Sequence, residues 1–233
     1  MADPTGPTGL LIDGRLVDGA GEPLDVEDPA LSGQACAAQG RVLVPEDRGD
    51  DVVAKLVGAV AHLAVGDPRD PATVVGPLIS ATQRQRVEDM VADGVAAGAR
   101  VASGGGRPVH LTRGYYFEPT VLVIDDNANP VARREVFRPV VTVQGYRDVD
   151  HAVAIANDSE YGLSGGVYTS DLWAGMAVAE RIRSGTVQVN RGAATAYTPM
   201  GGMKQSGIGR ERGVAGLREY QEIKHIVVAP AAR

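Results

Sequence analysis

The chain is expected to be an α/β protein, a mainly parallel sheet with flanking helices and an N-terminal hairpin, and three observations predict it. Strand-like and helical runs alternate along most of its length, as parallel strands joined by crossover helices require. Apolar residues make up 44% of the 233 positions but aromatics only 4%, so the core is built from Ala, Val, Leu and Ile, which suits strands buried between helices. A chain of this length also forms a single α/β unit with a sizeable core, and no linker long enough to divide residues 31–230 is visible.

The elements follow from punctuation and periodicity. Residues 1–8 are rich in Pro, Gly and Asp and are expected to fray. Two short runs, 10–12 and 15–17, flank Asp13-Gly14 and read as a hairpin. Residues 41–44 read as a strand. Over 50–65, Val53, Leu56, Val57, Val60 and Leu63 recur on one helical face. Ser80 followed three positions later by Gln83 has the form of a capping box, opening a second helix expected to run to about Ala99. Strand-like runs at 120–124, 140–145, 162–169 and 186–190 then alternate with helical runs at 149–157 and 171–183.

Composition excludes several function classes. A net charge of −6 gives no encouragement to nucleic-acid binding. No stretch approaches the roughly 20 apolar residues of a membrane helix. The N-terminus lacks a charged region followed by an apolar run, so a cytoplasmic protein without a membrane partner is expected. One cysteine cannot form an internal disulfide, which agrees with a reducing compartment. His62, His110, His151 and His225 are scattered without ligand spacing, and no metal is expected. Gly207-Ile208-Gly209 followed by Gly213 imitates a phosphate loop, but it lacks the GxGxxG spacing and does not follow a strand.

The single cysteine carries the chemistry. Cys36 lies in Ser32-Gly33-Gln34-Ala35-Cys36-Ala37-Ala38-Gln39-Gly40-Arg41, where the small neighbours Ala35 and Ala37 leave room for a substrate carbon. Nothing β-branched interrupts residues 36–39, so a short helical turn is expected to start there. A thiol at a helix N-terminus has its anion favoured by unpaired N–H groups. Two readings stand side by side at this point, a nucleophile and a small buried hydrophobe.

The cysteine loop, the run Glu135-Val136-Phe137-Arg138-Pro139-Val140 and the run Pro199-Met200-Gly201-Gly202-Met203-Lys204-Gln205-Ser206-Gly207-Ile208-Gly209-Arg210 occur in that order. Together they resemble the aldehyde dehydrogenase family, whose catalytic half residues 31–230 follow almost without gaps. The resemblance moves the balance at Cys36 toward a nucleophile. It extends to residues 9–29, where Leu11-Ile12-Asp13-Gly14-Arg15 and Asp25-Val26-Glu27-Asp28-Pro29 look like the extreme N-terminus of the family. Between Ala30 and Leu31, a domain's worth of the family pattern is missing. That stretch carries the family's dinucleotide-binding sheet, an asparagine that helps hold the oxyanion and a glutamate that activates water. The expected organisation is therefore an arm with a hairpin over 1–30 and a catalytic-type domain over 31–233, with no cofactor held by the chain alone.

The resemblance also assigns the remaining site residues. Glu135 and Phe137 match family positions that contact the ribose and nicotinamide of the cofactor, and Glu135 is, by position only, the carboxylate expected to handle protons. Arg138 stands where the family has glycine; it either holds an anionic group of the substrate or is a surface arginine with no partner. Asn190 matches an asparagine that closes a strand beside the family's substrate tunnel. The following run, Arg191-Gly192-Ala193-Ala194-Thr195-Ala196-Tyr197-Thr198-Pro199, is one residue short of common relatives and lacks their bulky aromatic lining. It is either the rim of a more open pocket, with Arg191 and Tyr197 upon it, or a loop with no ligand. Leu31 replaces an asparagine common at the start of the cysteine loop. Cys36 and Glu135 are thus the candidate catalytic residues, and Phe137, Arg138, Asn190, Arg191 and Tyr197 the candidate substrate-binding ones.

Residues 224–228 match a terminal strand that relatives add to a neighbouring subunit's sheet, and an edge of this kind favours a homo-oligomer, a dimer first. The leading expectation is an NAD-independent enzyme whose cysteine adds reversibly to a small carbonyl-containing substrate, an aldehyde, enal or thioester, for isomerisation, cyclisation or acyl transfer. The Cys36 N–H remains as an oxyanion donor, while loss of the family's asparagine donor costs about 2.7–4 kcal/mol in barrier. The alternatives are a non-catalytic scaffold and one half of a split dehydrogenase whose cofactor domain lies on another chain.

Overall fold

The computed structural model describes residues 34–190 and 195–229, together with the backbone of 10–12 and 15–17. At the N-terminus, β1 (Leu10–Ile12) and β2 (Arg15–Val17) pair antiparallel with Leu11 opposite Leu16, the hairpin that Asp13-Gly14 predicts. There follow β3 (Arg41–Pro45), α1 (Gly49–Ala61), α2 (Ala81–Ala96), β4 (Arg100–Ser103), β5 (Thr120–Ile124) and α3 (Pro130–Arg133). The last third contains β6 (Val140–Tyr146), α4 (Val149–Asn157), β7 (Ser164–Val167), α5 (Leu172–Arg181), β8 (Thr186–Val189) and α6 (Gly213–Arg218).

Four strands form one sheet in the order β3-β6-β5-β4, in which β6 runs parallel to both β3 and β5. The architecture is α/β, with a mainly parallel mixed sheet and flanking helices. Two features depart from the expectation of a single run of parallel strands. The edge strand β4 is antiparallel to β5, and β7 and β8 pair parallel as a separate two-stranded sheet. Sequence gave little sign of β4, because Arg-Val-Ala-Ser is short, has exposed residues and runs into three glycines. Its end is fixed by tertiary contact: the Gly105 N–H donates to the buried Thr120 Oγ1 at 2.8 Å, with Gly104 and Gly105 both at positive φ.

The two faces of the sheet bury separate clusters. Leu122 and Ile124 of β5 pack with Leu78, Val87, Val91, Phe117 and Val131 beneath α2 and α3. Val121 of the same strand packs with Val44, Val53 and Val143 beneath α1, where Leu56, Val57 and Val60 add partly buried surface. An uninterrupted apolar strand between two helical layers follows from this alternation, since successive side chains point to opposite faces. Helix α1 ends at Ala61 rather than continuing to 65. The chain turns there so that Val65 bridges Val75, and Leu63 is left at the surface.

Helix α2 starts where Ser80 predicts, with the Gln83 N–H donating to Ser80 Oγ at 3.2 Å. At its other end the buried Asn129 Nδ2 donates to the carbonyls of Gly94 and Ala97, while Asn129 Oδ1 accepts from the Val131 N–H and caps α3. The pair Asn129-Pro130 is a strong helix-start signal that the strand-and-helix alternation alone had passed over.

Candidate functional site

Cys36 stands at a turn flanked by two glutamines, Gln34 hydrogen-bonded and Gln39 packed against a neighbouring strand. The Ala38 N–H donates to the Ala35 carbonyl at 3.0 Å, which closes a single turn around an exposed free thiol. The expected helical turn does not develop. The Gly40 carbonyl already accepts from the Thr142 N–H at 2.9 Å and β3 begins at Arg41, so no residues remain for a second turn. Upstream, Gln34 Oε1 accepts from the Ile79 N–H at 3.3 Å, which ties the turn to the segment entering α2. Downstream, the Gln39 carboxamide packs against Gly166 of β7, where an added Cβ would meet its oxygen at 2.9 Å. Neither glutamine was singled out from sequence, because the partners lie far away in the chain and no local pattern names them.

The loop over 135–139 is fastened to the same helix. Phe137 is half-buried with φ of 58°, a left-handed conformation that costs of order 1–3 kcal/mol for a residue of this size. Arg138 holds it there. Its Nη1 donates to the Phe137 carbonyl, its guanidinium lies 5.6 Å from the centre of the Phe137 ring, and its Nη2 donates to Gln83 Oε1 at 2.6 Å. Arg138 is only 8% exposed, so the surface arginine without a partner is ruled out. Burial, and after it the neighbouring Arg86 cation, hold its pKa below the ordinary value. The Gln83 oxygen is thus engaged by Arg138, and the return bond of a full capping box to the Ser80 N–H is not formed among the described residues.

The other assigned residues occupy different places. Glu135 is exposed, and its carbonyl accepts from Arg86 Nη2 at 3.4 Å. It lines a shallow depression with Thr82, Arg86, Arg134 and Tyr161. Asn190, at φ of 51°, uses its side chain inside the fold: Oδ1 accepts from the Thr169 N–H at 2.9 Å and Nδ2 donates to the Thr169 carbonyl. Tyr197 is 87% exposed in a turn closed by the Thr198 N–H donating to the Thr195 carbonyl. Arg191 lies outside the described residues, as does Leu31. The entrance and first turn of α2 therefore anchor both the cysteine turn, through Ile79, and the Phe137 loop, through Gln83, while β7 links the cysteine turn to the strand pair that Asn190 clasps. Among the described residues, no hydrogen bond joins Cys36 to Glu135, and no group of three His, Cys, Asp or Glu side chains is arranged to hold a metal. No helix among them is long and apolar enough to cross a membrane.

The nicotinamide-contacting position that the family implies is not fitted by the residues present. The guanidinium of Arg138 already covers one face of the Phe137 ring and sets a cation over it.

Comparison with known proteins gives a consistent set of relatives. The model of the aldehyde dehydrogenase family matches residues 29–226. A putative aldehyde dehydrogenase of Staphylococcus saprophyticus is 38% identical over 218 residues, covering 93% of this chain and 46% of its own length. One from Staphylococcus aureus is 41% identical over 196 residues, or 84% of this chain and 41% of its own length. Among solved structures, a Mycobacterium tuberculosis aldehyde dehydrogenase complexed with NAD+ superposes with a TM-score of 0.79 at 45% identity, covering 81% of this chain and 39% of the other. A mutant aldehyde dehydrogenase C of Pseudomonas syringae, in complex with NAD+ and octanal, gives 0.82 at 41% identity, covering 86% and 42%. The chain thus spans less than half the length of the relatives it matches.

Proposed function

The chain belongs to the aldehyde dehydrogenase family, and from that premise we propose that it is an NAD-independent enzyme whose Cys36 thiol adds reversibly to an aldehyde, enal or thioester. The observation that carries this reading is the exposed Cys36 thiol at a turn hydrogen-bonded at Gln34 to the segment entering α2 and packed at Gln39 against β7. The Gln34 hydrogen bond fixes the entry to the turn while the sulfur stays open to solvent and substrate, as covalent catalysis needs. The obstruction of the Phe137 ring by Arg138 supports chemistry that runs through the thiol alone.

The balanced step is simple. Thiolate attack on an aldehyde forms a C–S bond and breaks the carbonyl π bond, and the oxyanion accepts a proton; reversal restores both partners. On a thioester the carbonyl re-forms as the thiolate leaves, and the acyl group stays on Cys36 until a second thiol attacks it and frees the Cys36 thiolate. On an enal, attack at the β-carbon turns the double bond into a single bond that rotates, and expulsion of the thiolate yields the isomer. Neither route needs an oxidant. Glu135, exposed on its loop, is the carboxylate proposed to carry the proton.

A homo-oligomer is part of the same proposal. The described segment after α6 forms no helix or strand, and Ile223, Ile226, Val227 and Val228 are all largely exposed, apolar surface that a second chain would cover.

The experiment is a screen of enals and thioesters without NAD, following isomer or acyl-transfer product by chromatography for the parent and for Cys36→Ser. Turnover by the parent and none by the variant supports the reading. Equal rates, or no turnover unless NAD is added, overturns it.

A further inference from the structure

We propose that Arg138 is a plug: it covers one face of the Phe137 ring, fastens the loop over 135–139 to α2, and denies that face to nicotinamide or any other flat ligand. Each part of the side chain contributes. The guanidinium lies 5.6 Å from the ring centre, within cation–π reach. Nη1 donates to the carbonyl of Phe137 itself, and Nη2 donates to Gln83 Oε1 at 2.6 Å. The plug is therefore tied at once to the backbone beside it and to the first turn of a separate helix.

Gln83 is a firm anchor, because its own N–H is bound by the Ser80 hydroxyl in the first turn of α2. Swinging Arg138 aside would break the bond to Gln83 and release the left-handed Phe137 from the contacts that keep it there. The buried Nε has no hydrogen-bond partner among the described residues, which is what the arrangement sacrifices to keep its other contacts. Charge acts in the same direction as shape. The nicotinamide of an oxidised dinucleotide is a cation, and it would approach a ring already faced by Arg138, with Arg86 nearby. A shorter residue at 138 would leave the ring face open, so position 138 sets what this loop admits. The inference deepens the NAD-independent part of the proposed function, and because its test does not involve Cys36, its failure is distinguishable from a failure of the thiol chemistry.

Phe117 and Phe137 are the two phenylalanines of the chain, so 4-fluorophenylalanine labelling yields two fluorine signals, the Phe137 one assigned by its loss in Phe137→Leu. Phe117 is buried in the core and serves as the internal reference. The parent should show a Phe137 signal that does not respond to nicotinamide mononucleotide. In Arg138→Gly that signal should be displaced and more strongly broadened by a soluble paramagnetic agent, with Phe117 unchanged. If Arg138→Gly also disturbs Phe117, Arg138→Met reads the same question, since it keeps the side-chain stem and removes the guanidinium. A Phe137 signal unchanged by both substitutions, or one that shifts in the parent on adding nicotinamide mononucleotide, overturns the proposal.

Discussion

Arg41 Nη1 donates to Asn127 Oδ1 at 2.9 Å, and this bond ties the strand that leaves the cysteine turn to the segment before α3. The same guanidinium donates to the carbonyls of Ile155 and Ala156 at the end of α4, at 3.0 and 2.9 Å. Asn127 in turn donates to Asp158, which pairs with Arg133 at 2.7 Å. One side chain therefore joins three elements at the start of β3. Arg41→Met is expected to lower stability by about 2–3 kcal/mol, the scale of hydrogen bonds to a charged group whose partners are left partly buried. Urea unfolding followed by circular dichroism checks it, and a midpoint equal to the parent's contradicts it.

Two glycines distinguish a rigid neighbour from a flexible one. A Cβ on Gly94 would lie 2.8 Å from Val131 Cβ, on a buried, β-branched side chain. A Cβ on Gly166 would lie 2.9 Å from Gln39 Oε1, the far end of a side chain that can rotate away. Gly94→Ala should cost about 1–3 kcal/mol by overpacking, and Gly166→Ala much less. Melting temperatures of the two variants settle the order; a reversed order would contradict this account of the packing.

Acid sensitivity has a defined direction. The Arg69 side-chain hydrogen bond holds Asp67 down to about 2, and hydrogen bonds from Arg133 and then Asn127 hold Asp158 below the ordinary carboxylate range. A carboxyl with a folded pKa below its unfolded value stabilises the fold above about pH 4. That contribution is lost as pH falls through the folded pKa. The melting temperature should therefore drop from pH 4 toward pH 2, and Asp158→Asn should flatten the decline. Parallel curves for parent and variant would remove Asp158 from the explanation.

The apolar run after α6 gives the proposed self-association a direct check. Ile226→Asp combined with Val228→Asp places two charges on residues 71% and 81% exposed in the single chain, so the fold itself should tolerate them. Sedimentation should find the parent as a dimer or larger and the double variant shifted toward monomer. A monomeric parent at micromolar concentration contradicts the proposed assembly.

Sequence was informative where local pattern decides structure. The apolar runs of β5 and β6, the hairpin around Asp13-Gly14 and the Ser80 cap all correspond to observed elements, because each rests on neighbouring residues. The antiparallel β4 escaped notice since its pairing depends on β5, twenty residues on, rather than on its own four residues. Cys36 stood out as the chain's one cysteine within a family-like loop. The glutamines that flank its turn did not, because Ile79 and Gly166 reach them only through the tertiary fold. Arg138 shows the same limit: sequence left it as a substrate-binding cation or a free surface charge, and the partner that removes the second alternative, Gln83, lies far away in the chain.

The most direct measurement of the central claim is carbon-13 NMR of the protein mixed with an aldehyde labelled at its carbonyl carbon, without NAD. The account predicts a new signal from a tetrahedral, sulfur-bound carbon with the parent, lost in Cys36→Ser and reversed when the aldehyde is removed. Identical spectra for parent and variant would contradict a nucleophilic Cys36.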